Sequence, residues 1–155
     1  EEECSGNGAL ACMVAMPRCD AVIIPEPGPG LPALYTAEVG VVWAFVTVTG
    51  RPAHVRDKQA GVNAVEAAMA VWTRFQDYER EMNRSEHVHA SFRGVNHPVN
   101  VNLGTFEGGE WNSSVATRAR LGLRVGVMMG NTADRVRADV ERIVEAARAD
   151  PAMRG

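Results

Sequence analysis

The sequence lacks the features that mark membrane, secreted and nucleic-acid-binding proteins. Its apolar runs are interrupted well short of the roughly 20 residues that a membrane helix needs, and no secretory signal opens the chain. The formal net charge of -3 offers no basic surface to a phosphate backbone. Arg118, Arg120 and Arg124 alternate along a strand-like segment and are not expected to form a patch. We therefore predict a soluble, cytoplasmic protein without membrane or nucleic acid as a partner.

Cysteine is scarce, and internal repeats and low-complexity tracts are missing. Cys4, Cys12 and Cys19 are odd in number and lack CxxC spacing, which favours reduced thiols that serve packing over metal ligands or redox centres. With 155 residues and 46% hydrophobic content, the chain is long enough to bury a core in one or two small units.

A loop rich in proline and glycine, from Pro25 to Pro32, predicts a domain boundary. Before it, residues 8–16 predict a short helix and residues 21–24 predict a buried strand. The prolines of the loop lack N–H donors and fix φ, so neither a helix nor a ladder continues through it. The chain is therefore predicted to divide into residues 1–33 and 34–155.

After this loop, the apolar pattern alternates between strands and helices. Residues 38–49 are dense in β-branched and aromatic side chains and predict a long strand. A polar, irregular stretch over residues 83–94 precedes two further strands, over residues 99–106 and 114–127. With the two helices described next, the order β-α-β-β-α predicts an α/β (α+β) chain whose second part is a ferredoxin-like unit lacking its last strand.

Both helices of this unit are predicted from apolar stripes at helical spacing. In the second helix, Thr132 is placed as the N-cap. The stripe of the first helix, over residues 61–78, contains Val62, Val65, Met69, Trp72 and Phe75. The stripe of the second contains Val136, Val140, Ile143 and Ala147.

Carboxylates cluster where the first unit begins and where its predicted strand ends. Glu1, Glu2 and Glu3 precede a small-residue turn, and Glu26 lies between two prolines. A run of this kind is compatible with a solvated charged end. Carboxylate oxygens also suit divalent metals, which lower the pKa of bound water so that a neighbouring carboxylate can accept its proton. The pattern alone leaves both interpretations open.

Motifs of glycine, acidic residues and histidine recur in a definite order along nearly the whole chain. They are EEECSGNGA, DAVIIPEP, VTVTGRPAHVRDKQAGVNAVEAA, HPVNVNLGTFEGGEWNSSV and RLGLRVG. In this order they resemble the acidic motif, the strand after it, and the opening and later strands of the lid domain in the M20 metallopeptidase family, close to its acetylornithine deacetylase branch. The resemblance implies that residues 1–33 end a catalytic segment and that residues 34–155 form a truncated lid and dimerisation domain.

The resemblance also implies a dinuclear-metal hydrolase that cleaves the amide bond of an N-acyl amino acid or small peptide. Glu2 matches the general base, which removes a proton from the attacking water and passes it to the leaving amine. Glu3 and Glu26 match ligands of two divalent metal ions, with zinc favoured and cobalt or manganese as alternatives.

Two residues of the lid also match functional positions of the family. His54 matches the histidine that stabilises the oxyanion in the partner subunit of a homodimer, whereas a histidine after a strand is by itself typical of a surface loop. Arg124 matches the arginine that binds the substrate's carboxylate, a role that its planar guanidinium suits. An outward salt bridge is the alternative for Arg124.

Some elements of the family pattern are missing. Residues 113–116 read Ser-Ser-Val-Ala where many members have asparagine and proline, so no substrate-binding asparagine is assigned. An HxD motif expected before Glu1 and a histidine ligand expected after Gly155 are absent, so we expect the chain by itself to be inactive.

The alternatives to an enzyme are a non-catalytic dimerisation module and a small-molecule-binding module, both ferredoxin-like.

Overall fold

The computed structural model describes residues 6–16, 18–25 and 35–151, and the chain divides into two compact units, Glu1–Leu34 and Tyr35–Gly155. In the first unit, helix α1 spans Asn7–Ala15, close to the prediction. The predicted buried strand over residues 21–24 is wrong, because the segment joins no ladder and Ile23 is 92% exposed. A strand needs a hydrogen-bonded neighbour, and none of the described residues supplies one here.

The second unit is a three-stranded antiparallel sheet with two helices packed against it. Its elements are β1 (Gly40–Thr49), α2 (Ala64–Met82), β2 (Val101–Gly108), β3 (Arg118–Val127) and α3 (Ala133–Ala149). Strand β3 lies in the centre and pairs with β1 on one side and with β2 on the other. The order and the pairing confirm the predicted ferredoxin-like arrangement.

Side chains that alternate along the strands divide the sheet into a core face and a second face, which we call the open face. The core face of β3 is fully covered by the helices and includes Ala119, Leu121, Leu123 and Val125. On the open face, Trp43 and Phe45 of β1 remain 55% and 64% exposed. The same face carries Arg118, Arg120 and Arg124 in one row along β3, and Glu107 of β2 lies opposite Arg120.

The buried stripe of α2 differs in part from the predicted one. Phe75 is fully buried and Trp72 is half-buried, as expected, but Met69 is 60% exposed and Val62 precedes the helix. The residues that α2 buries are Ala64, Ala68, Val71, Phe75 and Tyr78. Alanines contribute little to an apolar pattern, yet their small side chains allow a helix to pack closely, so the pattern pointed to the wrong edge of the stripe.

Helix α3 agrees with its prediction. The Thr132 hydroxyl accepts a hydrogen bond of 3.2 Å from the Arg135 amide, which caps the first turn. All four predicted apolar positions are buried, namely Val136, Val140, Ile143 and Ala147. Among the described helices, none combines the length and apolar character that a membrane crossing requires.

A tyrosine–aspartate pair joins the two helices. The Tyr78 hydroxyl lies 3.4 Å from an oxygen of Asp139, and Arg142 holds the other oxygen of that carboxylate at 3.1 Å. Burial, together with the negative charge of Asp139, raises the pKa of Tyr78 from 10.0 to about 12. The folded state therefore favours the neutral phenol.

This raised pKa predicts a loss of stability at alkaline pH. The unfolded chain releases the phenol proton near pH 10 and the folded chain near pH 12. The contribution of Tyr78 to the free energy of unfolding is therefore complete below pH 10 and is lost as the pH rises through 12. We expect Tyr78→Phe to weaken this dependence, measured as the denaturant midpoint at pH 9 and pH 11.5. Tyr35→Phe, at an exposed tyrosine, is the control. Equal alkaline losses in the wild type and Tyr78→Phe would contradict the assignment.

Candidate functional site

The segment between β1 and α2 carries His54 and folds back on itself. Arg51 and Val62 exchange two backbone hydrogen bonds of 2.9 Å, which close residues 51–62 into a loop, here the His54 loop. Glycine is required just before it, because a Cβ on Gly50 would lie 2.1 Å from the carbonyl oxygen of Val62. The Gly-Arg-x-x-His motif thus encodes a backbone contact too close for any side chain.

The second motif of this segment, Gly-x-Asn-Ala, begins helix α2. The Asn63 side chain caps the helix by accepting hydrogen bonds from the amides of Val65 and Glu66 at 2.9 and 3.3 Å. The amide of Ala64, which is fully buried, donates to the carbonyl of Ala116 at 2.9 Å. The start of the helix is therefore tied to the chain that leads into β3.

The connection between β2 and β3 lies against the His54 loop. His54 and Ser114 form an isolated β-bridge, and the Val115 amide donates to the Ala53 carbonyl at 2.9 Å. Glu110 closes this connection by accepting a 2.6 Å hydrogen bond from the Thr117 hydroxyl and a second from the Thr117 amide. These hydrogen bonds lower the pKa of Glu110. Its carboxylate therefore stays charged at a lower pH than that of an ordinary glutamate.

The ring of His54 is held in one orientation by its own backbone turn. Its Nδ1 accepts a 3.1 Å hydrogen bond from the amide of Arg56, as the N-cap of the short 3-10 helix Val55–Ala60. An imidazole whose Nδ1 accepts carries the proton of its neutral form on Nε2. The His54 side chain is exposed, and among the described residues its Nε2–H has no hydrogen-bond partner.

A groove of about 1000 Å³ runs beside the His54 loop. Val55 and Lys58 of the loop line it together with Asn112 and Ser114 of the β2–β3 connection. No asparagine was assigned to the site from the sequence, because residues 113–116 lack one. Asn112 lies one residue earlier, and the pairing of the two loops brings it to the groove. Its signal in the sequence is the Asn-Ser-Ser triplet that ends at Ser114.

Arg124 lies far from the His54 loop within one chain. It is exposed at the centre of the open face, opposite Trp43, whereas the end of the sheet next to the loop is the pair of Thr49 and Arg118. Six residues of strand separate the two positions, which corresponds to about 20 Å. His54 lies beyond that end, so the structure does not bring the two predicted lid residues together.

The predicted base Glu2 and the predicted metal ligands Glu3 and Glu26 lie outside the described residues. Within the described part, Glu81, Glu86 and His87 have ligand atoms within 4.8 Å of one another. The guanidinium of Arg84 lies 3.1 Å from Glu81 and 3.0 Å from Glu86 and already pairs with both carboxylates. Hydrogen bonds from Arg84, and then from His87, lower the pKa of Glu81. This exposed cluster does not fit a catalytic metal.

Comparisons with solved structures show the same fold in larger proteins. One is a putative aminohydrolase from methicillin-resistant Staphylococcus aureus, with a TM-score of 0.54 and 14% identity over 71% of this chain and 27% of that chain. Another is the aminobenzoyl-glutamate utilization protein from Klebsiella pneumoniae, with a TM-score of 0.50 and 20% identity over 72% of this chain and 25% of that chain. The chain thus spans about a quarter of the length of these structures.

The sequence comparisons give one family. No curated protein matches the chain significantly. The family model M20_dimer, described as a peptidase dimerisation domain, matches residues 36–150, which include β1, α2, β2, β3 and α3. Because this match covers most of the chain, the chain belongs to the M20 peptidase family and carries its dimerisation domain.

Proposed function

We propose that this chain is part of a homodimeric, metal-dependent hydrolase that cleaves the amide bond of an N-acyl amino acid or small peptide. The observation that carries the proposal is the hydrogen bonding of the His54 ring. Its Nδ1 is occupied by the Arg56 amide and its exposed Nε2–H is free to donate. Amide hydrolysis develops negative charge on the carbonyl oxygen, and a donor already in position stabilises that charge most effectively.

The separation of His54 and Arg124 supports an active site built from two chains. A single N-acyl amino acid is much shorter than the distance of about 20 Å that the strand register implies between these regions of one chain. A two-fold dimer in which the His54 loop of one subunit reaches the site that contains Arg124 of the other would remove this difficulty. We therefore assign His54 to the partner's active site and Arg124 to its own.

The chemistry divides among three side chains and the metal ions. Glu3 and Glu26 would hold divalent metals, which would lower the pKa of water and polarise the amide carbonyl. The carboxylate of Glu2 accepts the proton from the attacking water and later transfers it to the nitrogen of the leaving amine. His54 donates Nε2–H to the carbonyl oxygen. Arg124 binds the substrate's carboxylate through its guanidinium, which fixes the amide relative to Glu2.

Glu2 and Glu3 provide the test, because their proposed roles differ. In the longer enzyme, we expect Glu2→Ala to retain bound metal while losing turnover, since Glu2 carries a proton. Glu3→Ala is expected to lower the metal content, since Glu3 is a ligand. The metal content of each purified variant is measured beside kcat for N-acetylated amino acids. An equal loss of metal in both variants would contradict these roles.

A dimerisation module without catalytic residues is the second candidate. It is supported by the match to a dimerisation domain over residues 36–150, which leaves out Glu2, Glu3 and Glu26. On this alternative, substitutions of His54 or Arg124 would leave any activity of the longer protein unchanged, which distinguishes it from the enzyme.

A further inference from the structure

We propose that Trp43 and Asn102 flank Arg124 as specificity-determining residues, and that the three form a subsite for an N-acyl amino acid with an aromatic side chain. The carboxylate binds to Arg124 and Asn102, and the aromatic side chain rests on the Trp43 indole. This inference rests on the proposed function and narrows its substrate class.

The three residues form one row across the sheet. Strand register places Trp43 of β1 and Asn102 of β2 opposite Arg124 of β3, one on each side. Directly opposed residues have Cβ atoms about 5 Å apart and extend from the same face. Arg124 and Asn102 are exposed, and Trp43 is 55% exposed. An amino-acid carboxylate and its side chain are of a size that matches such a row.

The nearest residues to Arg124 on the same face of β3 are glycines. Gly122 and Gly126 occupy the positions two residues before and after it on the same strand face, so neither adds a side chain beside the guanidinium. Gly104 leaves the Asn102 amide group uncovered, since a Cβ there would lie 3.5 Å from Nδ2.

Both ends of this row along β3 are covered, and a Cβ on Gly126 would lie 3.2 Å from Cγ1 of Val39 and 3.3 Å from the backbone of Asn100. A Cβ on Gly122 would lie 3.2 Å from the Phe45 ring and 2.3 Å from the Thr105 hydroxyl oxygen, so these two side chains cover Gly122. The row of Trp43, Arg124 and Asn102 is therefore bounded on the Gly122 side and on the Gly126 side.

Of Arg120 and Arg124, the contacts leave Arg124 available to an anion. The guanidinium of Arg120 lies over the Phe45 ring, 4.1 Å from its centroid, and is thereby occupied. Arg124 makes no ion pair or cation–π contact with the residues that the structure describes. An exposed guanidinium with this freedom can bind a carboxylate with both of its terminal nitrogens.

Asn102 and Trp43, the neighbours of Arg124, determine which carboxylate-bearing substrate the subsite prefers. The Asn102 side chain offers an amide N–H to a carboxylate oxygen and carries no charge that would compete with Arg124. The Trp43 indole offers a rigid apolar surface, and aromatic pairs contribute about 0.5–1.5 kcal/mol beyond the area that they bury. An aromatic substrate side chain therefore gains more from Trp43 than a methyl group does.

The test compares two substrates in the full-length enzyme, N-acetylphenylalanine and N-acetylalanine. We expect Trp43→Ala to lower the ratio of their kcat/KM values about tenfold, mainly through KM, and Trp43→Phe to restore most of it. Asn102→Ala is expected to raise KM about fivefold for both substrates. Thr47→Ala, on the open face of β1 but away from Arg124, is the control and should leave the ratio unchanged.

Calorimetry with free phenylalanine, the expected product, separates this inference from the proposed function. If the wild type binds phenylalanine and both Trp43→Ala and Arg124→Ala weaken this binding, the subsite is supported even if no substrate is hydrolysed. Binding without hydrolysis would overturn only the proposed function. Hydrolysis with an unchanged substrate ratio in Trp43→Ala would overturn the subsite and leave the hydrolase standing. Neither binding nor hydrolysis by the wild type would overturn both.

Discussion

Replacement of His54 by alanine is expected to lower kcat of the full-length enzyme about 100- to 1000-fold. The loss follows from removing the Nε2–H donor, which acts on the oxyanion that forms only in the transition state. Because this interaction is absent from the ground state, kcat and kcat/KM should fall together while KM changes little. Steady-state kinetics on an N-acetylated amino acid measures the effect.

The fold supplies a matched control for this substitution. His89 is also exposed and caps a short 3-10 helix, Ala90–Phe92, by accepting a 3.2 Å hydrogen bond at Nδ1 from the Ser91 amide. His89→Ala removes the same kind of cap, so it should match His54→Ala in stability while retaining activity. His54→Asp keeps a capping oxygen but has no N–H donor, and should lose as much kcat as His54→Ala. Full activity in His54→Asp would show that His54 serves only as a cap.

The second large effect is expected from Gly50→Ala, which should lower the free energy of unfolding by about 3 kcal/mol. The new Cβ would lie 2.1 Å from the Val62 carbonyl oxygen and 2.9 Å from both the Ala116 carbonyl oxygen and the Ala64 amide nitrogen. All three are backbone atoms within hydrogen-bonded pairs, so they cannot yield without loss of those bonds. Urea unfolding followed by circular dichroism measures the change.

Gly40→Ala is the control, because it adds the same methyl group at the other end of β1. Its Cβ would meet Val127 at an ordinary 3.4 Å, so the free energy of unfolding should change by less than about 1 kcal/mol. A Gly50 variant as stable as the Gly40 variant would contradict the close backbone approach that holds the His54 loop.

Local patterns in the sequence predict the second unit well, but in the first unit they predict the helix and not the strand. Strand β3 and helix α3 have clear periodicity, and Thr132 marks the helix start by its capping chemistry. Residues 21–24 have an equally apolar, β-branched pattern but join no ladder. Composition reports the preference of a segment for a strand, whereas a ladder depends on a neighbour elsewhere in the chain.

The candidate site could be predicted only where a single residue type carries the chemistry. His54 and Arg124 stand in recognisable motifs and were assigned from them. The approach of Asn112 to the His54 loop depends on backbone pairing between residues more than 50 positions apart, such as Ala53 and Val115. The row of Trp43, Arg124 and Asn102 depends on the register of three strands. Neither is encoded in local periodicity.

A mixed dimer tests the central claim, that His54 completes the active site of the partner subunit. Full-length subunits with Glu2→Ala and with His54→Ala are produced with different tags, and the dimer that carries both tags is purified. One of its two sites then combines an intact Glu2 with an intact His54 from the other subunit. The account predicts recovery to about half of the wild-type kcat, far above either mutant homodimer. A verified mixed dimer as inactive as its parents would contradict it.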